Sequence, residues 1–312
     1  MTIKLSIVVP CYDEAEVLPE TNRRLLALLS KLSGDQLIAA DSSVHYVDDG
    51  SRDQTWSLIQ SLAQNDSRIH GIKLSRNGGH QNALLAGLMS VDGDAVVSID
   101  ADLQDDVSVI ESMVSAFIKG SEVVYGVRES RATDSPFKRR SALLYYGLMK
   151  KMGVDLLHNH ADFRLLSRRA IESLRQYGEV NLFLRGIVRL IGYRTATVKY
   201  DRAERFAGVS KYPLFKMLAL AAEGVTSFSI VPLRLITLLG FLVSGFSFSM
   251  IIFILYGKIV MNAAIPGWAS SVVPIYFLGG IQLLSIGILG EYVAKTYLET
   301  KQRPRYFVEH VV

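Results

Sequence analysis

The chain has 312 residues, of which 49% are hydrophobic and 21% are charged, and its mean hydropathy is +0.24. This hydropathy is high for a soluble enzyme with so many charges, so the apolar excess must be concentrated in part of the chain. The formal net charge is +4, but the basic residues gather beside the apolar segments and between residues 128 and 140. That distribution favours an anionic lipid surface, and not nucleic acid, as the partner.

The N-terminal half predicts alternating strands and helices. Short β-branched runs predict buried strands over residues 5–9, 44–47, 69–74, 95–99 and 123–127. Helical patterns separate them, over residues 15–31, 55–64, 81–90 and 107–119. This alternation predicts a parallel sheet with helices on both faces and with ligands bound beyond the carboxyl ends of its strands. The first residues lack the basic and apolar regions of a secretory signal, so we expect this domain to stay in the cytoplasm.

Acidic residues stand at the expected carboxyl ends of three strands. These strands run into Pro10-Cys-Tyr-Asp-Glu14, Asp48-Asp-Gly-Ser51 and Asp100-Ala-Asp-Leu-Gln-Asp105. If the backbone is extended there, Asp100 and Asp102 point to the same side and share a hard divalent cation, whose shell a nucleotide diphosphate completes. The alternative is a solvated turn in which Asp105 or Asp106 caps the next helix. The lone Cys11 excludes an internal disulfide and is interpreted as a packing residue.

Two apolar segments near the C-terminus are long enough to cross a membrane. Residues 235–256 and 269–290 contain no charged residue, and each matches the roughly 20 residues that a spanning helix needs. Basic residues flank the pair at its outer ends, namely Arg234, Lys295, Lys301, Arg303 and Arg305, whereas the connecting loop has only Lys258. The positive-inside rule therefore predicts a hairpin with both ends cytoplasmic. Buried core helices are the alternative.

Between the two regions, apolar residues recur with helical spacing from 214 to 228. This pattern predicts a helix that lies along the membrane interface, with a core-packed helix as the rival. The sequence thus predicts a cytoplasmic domain (1–212), an interfacial helix (213–233), a transmembrane unit (234–294, with spans at about 235–256 and 270–290) and a cytoplasmic tail (295–312).

Several motifs carry a resemblance to a known family. Ser6-Ile-Val-Val-Pro-Cys-Tyr-Asp-Glu14, Val47-Asp-Asp-Gly-Ser51, Ser75-Arg-Asn77 and Asp100-Ala-Asp-Leu-Gln-Asp105 resemble family 2 glycosyltransferases. Ala161-Asp-Phe-Arg-Leu165, Gly208-Val-Ser-Lys-Tyr212, Gly290-Glu-Tyr-Val293 and Arg303-Pro-Arg-Tyr306 resemble the bacterial polyprenyl-phosphate (bactoprenol) glucosyltransferases of the GtrB type, which are related to dolichol-phosphate mannose synthases. The resemblance covers nearly the whole chain and implies an α/β catalytic domain of the GT-A, Rossmann-like fold with a mostly parallel sheet. The chain departs from the usual pattern at Asp13, Ala161 and Asp106, and none of these changes removes a metal ligand.

The resemblance also implies the residues of a donor site. The nucleoside pocket is formed by Pro10, Tyr12, Glu14 and Asp49. The metal, Mg²⁺ or Mn²⁺, and the diphosphate are held by Asp100, Asp102 and Gln104. The candidate catalytic residues are Asp162 and the metal-binding Asp102, with Arg164 in the same motif as Asp162. Two roles are open for Asp162, namely orienting or stabilising the reacting groups and acting as the base.

Basic residues are the candidates for holding phosphate groups. Arg128 follows the fifth strand, and Arg139 and Arg140 open the next helical stretch, where they would dock an anionic lipid head group. Contact with bilayer phospholipid is the alternative, and one set of charges can serve both purposes. The resemblance implies that Arg205 and Lys211 close over the donor phosphates, whereas a solvated basic loop is the other interpretation.

The activity that the resemblance implies is transfer of a hexose, glucose from UDP-glucose, to undecaprenyl phosphate with inversion. It further implies a multi-pass protein of the bacterial inner membrane, a homotetramer, and a role in O-antigen modification. Two alternatives in the same class are a different donor, of the mannose or aminoarabinose type, and a processive polysaccharide synthase. The latter would carry more spans and a Gln-x-x-Arg-Trp motif, which this sequence lacks. A noncatalytic membrane subunit is the alternative from another class.

Overall fold

The computed structural model describes residues 2–128, 160–179, 184–201, 231–259 and 267–312. These residues fall into two compact units. The first contains the described residues up to 201 together with 302–312, and the second contains residues 231–259 and 267–301. Four predicted site residues, Arg139, Arg140, Arg205 and Lys211, lie outside the described residues, as does nearly all of the predicted interfacial helix.

The first unit is built on a sheet that has eight strands among the described residues, in the order β7-β5-β6-β4-β1-β2-β3-β8. Its strands are β1 (Leu5–Cys11), β2 (Ser43–Asp48), β3 (Ile69–Leu74), β4 (Ala95–Ser98), β5 (Val123–Arg128), β6 (His160–Ser167), β7 (Thr195–Tyr200) and β8 (Val308–Val311). Its helices are α1 (Leu18–Gly34), α2 (Thr55–Asn65), α3 (His80–Ser90), α4 (Val109–Ile118), α5 (Arg168–Arg175) and α6 (Leu184–Leu190). The five predicted strands and four predicted helices are all present, with ends that differ by a few residues.

The sheet is mostly parallel, which confirms the expected α/β class. Strands β1 to β5 and β7 share one direction, whereas β6 and β8 run antiparallel to their neighbours. The antiparallel β6 lies between β4 and β5, inside the sheet. It therefore brings Asp162 and Arg164 beside the end of β4, where the acidic motif begins.

Alternate residues of β1 pack on opposite faces of the sheet, as a strand with both faces covered requires. Leu5, Ile7 and Val9 belong to the apolar cluster that includes the buried leucines of α1. On the other face, Val8 packs against α3 so closely that a Cβ added at Gly87 would lie 2.3 Å from Val8 Cγ1. Gly87 thus allows α3 to lie directly on the sheet, which fixes the start of that helix near the strand ends.

The second unit consists of two long helices, α7 (Val231–Ile259) and α8 (Trp268–Lys301). Both extend beyond the predicted spans. Val231–Met250 and Phe277–Lys301 are long and apolar enough to cross a membrane, and the residues of these windows are not buried inside the structure. Burial as core helices, the alternative interpretation, is therefore not what the structure shows.

Candidate active site

The loops that follow β1 and β2 are bound to each other through side chains. The backbone amide of Asp13 donates to Ser51 Oγ (3.0 Å), and Asp13 Oδ1 accepts the amide of Arg52 (2.7 Å). The amide of Glu14 donates to Thr55 Oγ1 (2.9 Å). Asp13 has a φ of +53°, a backbone region that Asp and Asn tolerate better than most residues. This explains why Asp stands where the family usually has Asn.

The predicted nucleoside residues surround these loops. Pro10 is buried beside Val47, Glu14 is half-buried, and the Tyr12 ring is 38% exposed. Asp49 is 3% exposed, and its two carboxylate oxygens accept the amides of Gly78 (2.7 Å) and Gly79 (2.9 Å). The structure therefore gives Asp49 the task of holding the loop before α3, while the nucleoside contacts of the four residues remain predictions.

The Asp100–Asp102 segment forms a turn and is not extended. β4 ends at Ser98, Ala101 and Asp102 lie in the turn, and Leu103 has a φ of +55°. The condition of an extended backbone, on which the shared orientation of Asp100 and Asp102 depended, is therefore not met. A left-handed leucine costs about 1–2 kcal/mol, and such strain is common where a loop must present ligands. Asp102 Oδ1 accepts the amide of Gln104 (3.2 Å), which tightens the turn.

Several carboxylates are gathered at this turn. The Asp100 side chain is about one-third exposed, at 34%. Burial raises the pKa of Asp100 to about 6; His80 opposes this rise, and the charges of Asp162, Asp105 and Asp102 add to it. The turn therefore carries more negative than positive charge, and a bound divalent cation would offset this excess.

A metal at this turn would need substrate phosphates to complete its coordination shell. No group of three His, Cys, Asp or Glu side chains within the described ranges has metal-site geometry. A cation here would rely on Asp100, Asp102 and the Gln104 oxygen, with phosphate oxygens as further ligands. Mg²⁺ is typically bound in this way, by one or two carboxylates plus substrate phosphates.

Arg128 is held by the acidic motif. Its Nη2 donates to Asp105 Oδ1 (3.1 Å), and the Tyr200 hydroxyl donates to the same oxygen (2.5 Å). Arg128 Nε also contacts the Tyr200 hydroxyl (3.3 Å). Of the two residues considered as caps of α4, Asp105 binds Arg128 and Tyr200 instead, whereas Asp106 Oδ1 accepts the amide of Ser108 (2.9 Å), just before the helix. The Arg128 guanidinium is thereby anchored at the edge of the site. Its docking of a lipid phosphate remains a prediction.

Asp162 lies in a buried network of charges. It is 4% exposed, and Arg164, 1% exposed, donates to its Oδ1 (2.5 Å). Arg185 Nη2 and Gln81 Nε2 donate to its Oδ2, at 3.0 and 3.2 Å. Burial opposes the charge of Asp162, but His80, Arg185 and Arg164 together hold its pKa well below the usual range. A carboxylate with so low a pKa is a weak base, in agreement with an orienting role.

His80 connects the two acidic groups and was missed by the sequence reasoning. Its Nε2 lies 3.5 Å from Asp162 Oδ2 and 3.6 Å from Asp100 Oδ1. Burial lowers the pKa of His80, but Asp162 and Asp100 raise it further, with a net upward shift. Gln81, Arg185 and Tyr200 were missed as well. The only signal in the sequence was that His80 and Gln81 follow the Ser75-Arg-Asn77 motif closely.

A mostly parallel sheet with acidic loops at the carboxyl ends of its strands is typical of α/β proteins that bind nucleotides. The chain belongs to glycosyltransferase family 2, because the model of that family, "Glycosyl transferase family 2", matches residues 6–175.

Several known proteins are similar in sequence to this chain over almost its whole length. It is 50% identical to the uncharacterized glycosyltransferase YkoT of Bacillus subtilis, over 98% of this chain and 91% of that protein. It is 39% identical to the bactoprenol glucosyl transferase of Shigella phage SfX, over 98% of this chain and 99% of that protein. Among solved structures, glucosyl-3-phosphoglycerate synthase of Mycobacterium tuberculosis, in complex with Mn²⁺, UDP and phosphoglyceric acid, has a TM-score of 0.46 and 20% identity, over 72% of this chain and 76% of that one.

Proposed function

We propose that this glycosyltransferase transfers glucose from UDP-glucose to undecaprenyl phosphate at the cytoplasmic face of a bacterial inner membrane. The observation that carries the proposal is the 39% identity to a bactoprenol glucosyl transferase over 98% of one chain and 99% of the other. A match of that extent spans the catalytic unit and both apolar helices of this chain, so it supports the lipid acceptor as well as the transferred glucose.

The proposed reaction is a single displacement with inversion. A phosphate oxygen of the lipid forms the bond to the anomeric carbon while the bond from that carbon to UDP breaks. The acceptor phosphate, with a second pKa of about 6, is already ionised near neutral pH and needs no strong base. The depressed pKa of Asp162 supports a role in which this carboxylate orients His80 and Arg185 beside the sugar.

The acidic turn is the proposed place of the donor diphosphate. Asp100, Asp102 and Gln104 would hold Mg²⁺ or Mn²⁺, which when bound neutralises the charge of the departing UDP. Arg128, anchored by Asp105, lies at the edge of the same turn and would attract the lipid phosphate. These side chains and the cation would screen the negative charges of the two reactants and hold the reactants close together. This is the main contribution that they can make to catalysis.

Membrane attachment by α7 and α8 is part of the proposal. Their apolar windows are the right length to span the hydrocarbon layer. Residues 302–312 then join the catalytic sheet through β8. We infer that the chain crosses the membrane an even number of times between residues 201 and 302, so that both ends remain on the cytoplasmic side.

A donor panel tests the proposed function. The full chain, purified in nanodiscs, is incubated with undecaprenyl phosphate and with UDP-glucose, UDP-galactose, UDP-N-acetylglucosamine or GDP-mannose, with and without EDTA. Mass spectrometry of the lipid should detect a hexosyl phosphoryl undecaprenol from UDP-glucose only, and EDTA should abolish it. If only GDP-mannose gives a product, the donor has been assigned wrongly. If the lipid stays unmodified with every donor, the proposal is overturned. Asp100→Asn serves as the matched inactive control.

A further inference from the structure

The segment that follows α8 pairs with the catalytic sheet and contacts the loop that precedes α3. This C-terminal segment, Gln302–Val312, pairs through β8 with β3, so that β8 forms the edge of the sheet. Gly71 and Val312 exchange two backbone hydrogen bonds, each 2.9 Å long. Next to this ladder, the amide of Ser75 donates to the carbonyl oxygen of Phe307 (3.0 Å). The C-terminal segment thus continues past the end of β3 and alongside the loop that follows it.

That loop, Ser75–Gly79, carries the start of α3 and therefore His80. On one side it is held by Asp49, whose carboxylate accepts the amides of Gly78 and Gly79. On the other side lie Phe307 and Arg305, since a Cβ added at Gly78 would come within 3.8 Å of the Arg305 carbonyl oxygen. The loop is consequently fixed between the acidic loop after β2 and the C-terminal segment.

We propose that the C-terminal segment is a positioning element of the active site, which fixes the Ser75–Gly79 loop and thereby sets His80 against Asp100 and Asp162. This inference rests on the proposed function for its kinetic test. His80 Nε2 is 3.5–3.6 Å from the two carboxylates, so a loop that loses one of its two supports would displace the imidazole from both. Displacements of about 1 Å near reacting groups can cost about 100-fold in rate.

The C-terminal segment contributes little to the core. All four residues of β8 are exposed, and an open pocket of about 480 Å³ is lined by Arg303–Tyr306 together with Leu85, Met89 and Leu174. The segment is held by hydrogen bonds, among them that from Arg305 Nη2 to the Tyr177 carbonyl oxygen (2.9 Å), and by ring contact of His310 with Trp56. The rest of the catalytic unit is therefore expected to fold without it.

The test compares the full chain with a chain that ends at Lys301, both in nanodiscs with UDP-glucose and undecaprenyl phosphate. We expect kcat to fall about 10- to 100-fold while the KM for UDP-glucose changes by less than about threefold. A synthetic peptide of residues 302–312, added in trans, should restore kcat by pairing with the exposed edge of β3. Wild-type kcat in the shortened chain, or a loss that the peptide does not restore, overturns the proposal.

A milder pair of variants covers the case in which the shortened chain does not fold. Arg305→Ala removes the bond to Tyr177, whereas Arg303→Ala, two residues away, leaves it in place. We expect kcat to fall about fivefold in the first and to stay unchanged in the second, with unchanged thermal unfolding in both. Equal kcat values in the two variants overturn the proposal.

Amide exchange separates this inference from the proposed function. Hydrogen–deuterium exchange of residues 75–80 should accelerate in Arg305→Ala and not in Arg303→Ala. If the wild-type chain modifies no lipid with any donor, the proposed function fails, yet the exchange rates still decide whether the C-terminal segment fixes the loop. Identical exchange in the wild type and both variants overturns the positioning role.

Discussion

Asp162 shares its two carboxylate oxygens among Arg164, Arg185, Gln81 and His80. This network neutralises a buried guanidinium, and under the proposed function the same contacts would orient His80 and Arg185 for catalysis. Replacing one partner therefore affects more than one property, and a kinetic measurement on Asp162 needs a stability measurement beside it.

Asp162→Asn is predicted to destabilise the protein. The change leaves Arg164, 1% exposed, without its counter-charge, and loss of one partner of a buried ion pair costs about 3–5 kcal/mol. Thermal unfolding of the nanodisc-embedded protein should show a lowered midpoint. The control is Asp92→Asn, because the Asp92 side chain is 96% exposed and its pair with Arg168 spans 3.7 Å. A wild-type midpoint in Asp162→Asn would contradict the buried pairing.

Asp100→Asn is predicted to abolish sugar transfer in a chain that still folds. The substitution removes one of the two carboxylates proposed for the cation, and we expect turnover to fall by at least about 100-fold. The matched control is Asp106→Asn, six residues along, because Asp106 is exposed and accepts only the amide of Ser108 (2.9 Å) in the contacts described. Near wild-type turnover in Asp100→Asn would remove the metal assignment.

The sequence identified site residues that lie in contiguous motifs. It did not identify residues that are distant in the chain and reach the site only in the folded protein. The Asp100–Asp105 motif can be recognised because it follows an apolar run, and Asp162 was identified through its resemblance to a family motif. His80 and Arg185 reach Asp162 from 82 and 23 residues away in the chain, as 162 − 80 and 185 − 162. Their approach depends on the antiparallel placement of β6, which no local pattern specifies.

At the scale of elements, the turn after β2 depends on a glycine. Gly50 has a φ of +70°, and a Cβ there would lie 2.8 Å from the Arg76 carbonyl carbon and the Asn77 nitrogen. The close contact joins the turn that carries Asp49 to the Ser75–Gly79 loop. Both loops therefore require that this position have no side chain.

Gly50→Ala is predicted to destabilise the catalytic unit by about 2 kcal/mol or more, because the left-handed backbone and the clash act together. Weaker UDP binding should accompany the change. Gly34→Ala is the control: a Cβ at Gly34, the last residue of α1, meets nothing within 4 Å, and the change should be neutral or slightly stabilising. Denaturation midpoints of the two variants give the comparison, and equal midpoints would contradict the assigned role of Gly50.

Some strands of the sheet can be predicted from the sequence, and others cannot. β1 to β5 are short apolar runs between helical patterns, and their positions follow from burial on both faces. β6 contains the buried pair Asp162 and Arg164. Because these residues are charged, the sequence does not predict a central strand there. β8 has four exposed residues and no apolar periodicity, and its pairing with β3 depends on the return of the chain after α8.

At the scale of the whole molecule, the return of the C-terminal segment constrains membrane topology. Residues 302–312 belong to the same unit as the catalytic sheet, and the residues between 231 and 301 that the structure describes form the two long helices. A single crossing would place β8 and β3 on opposite sides of the bilayer and break their pairing. Two crossings agree with the positive flanks of the apolar segments.

Cysteine labelling tests that topology with little background. The one native thiol, Cys11, is 2% exposed, and burial raises its pKa well above the usual value, so it should not react. In intact cells, a membrane-impermeant maleimide should label Ala264→Cys, which lies between the two apolar segments in the sequence, but not Val311→Cys. After permeabilisation Val311→Cys should be labelled too, because the Val311 side chain is 63% exposed. Labelling of Val311→Cys in intact cells would place the C-terminus, and with it the sheet that β8 joins, outside the cytoplasm.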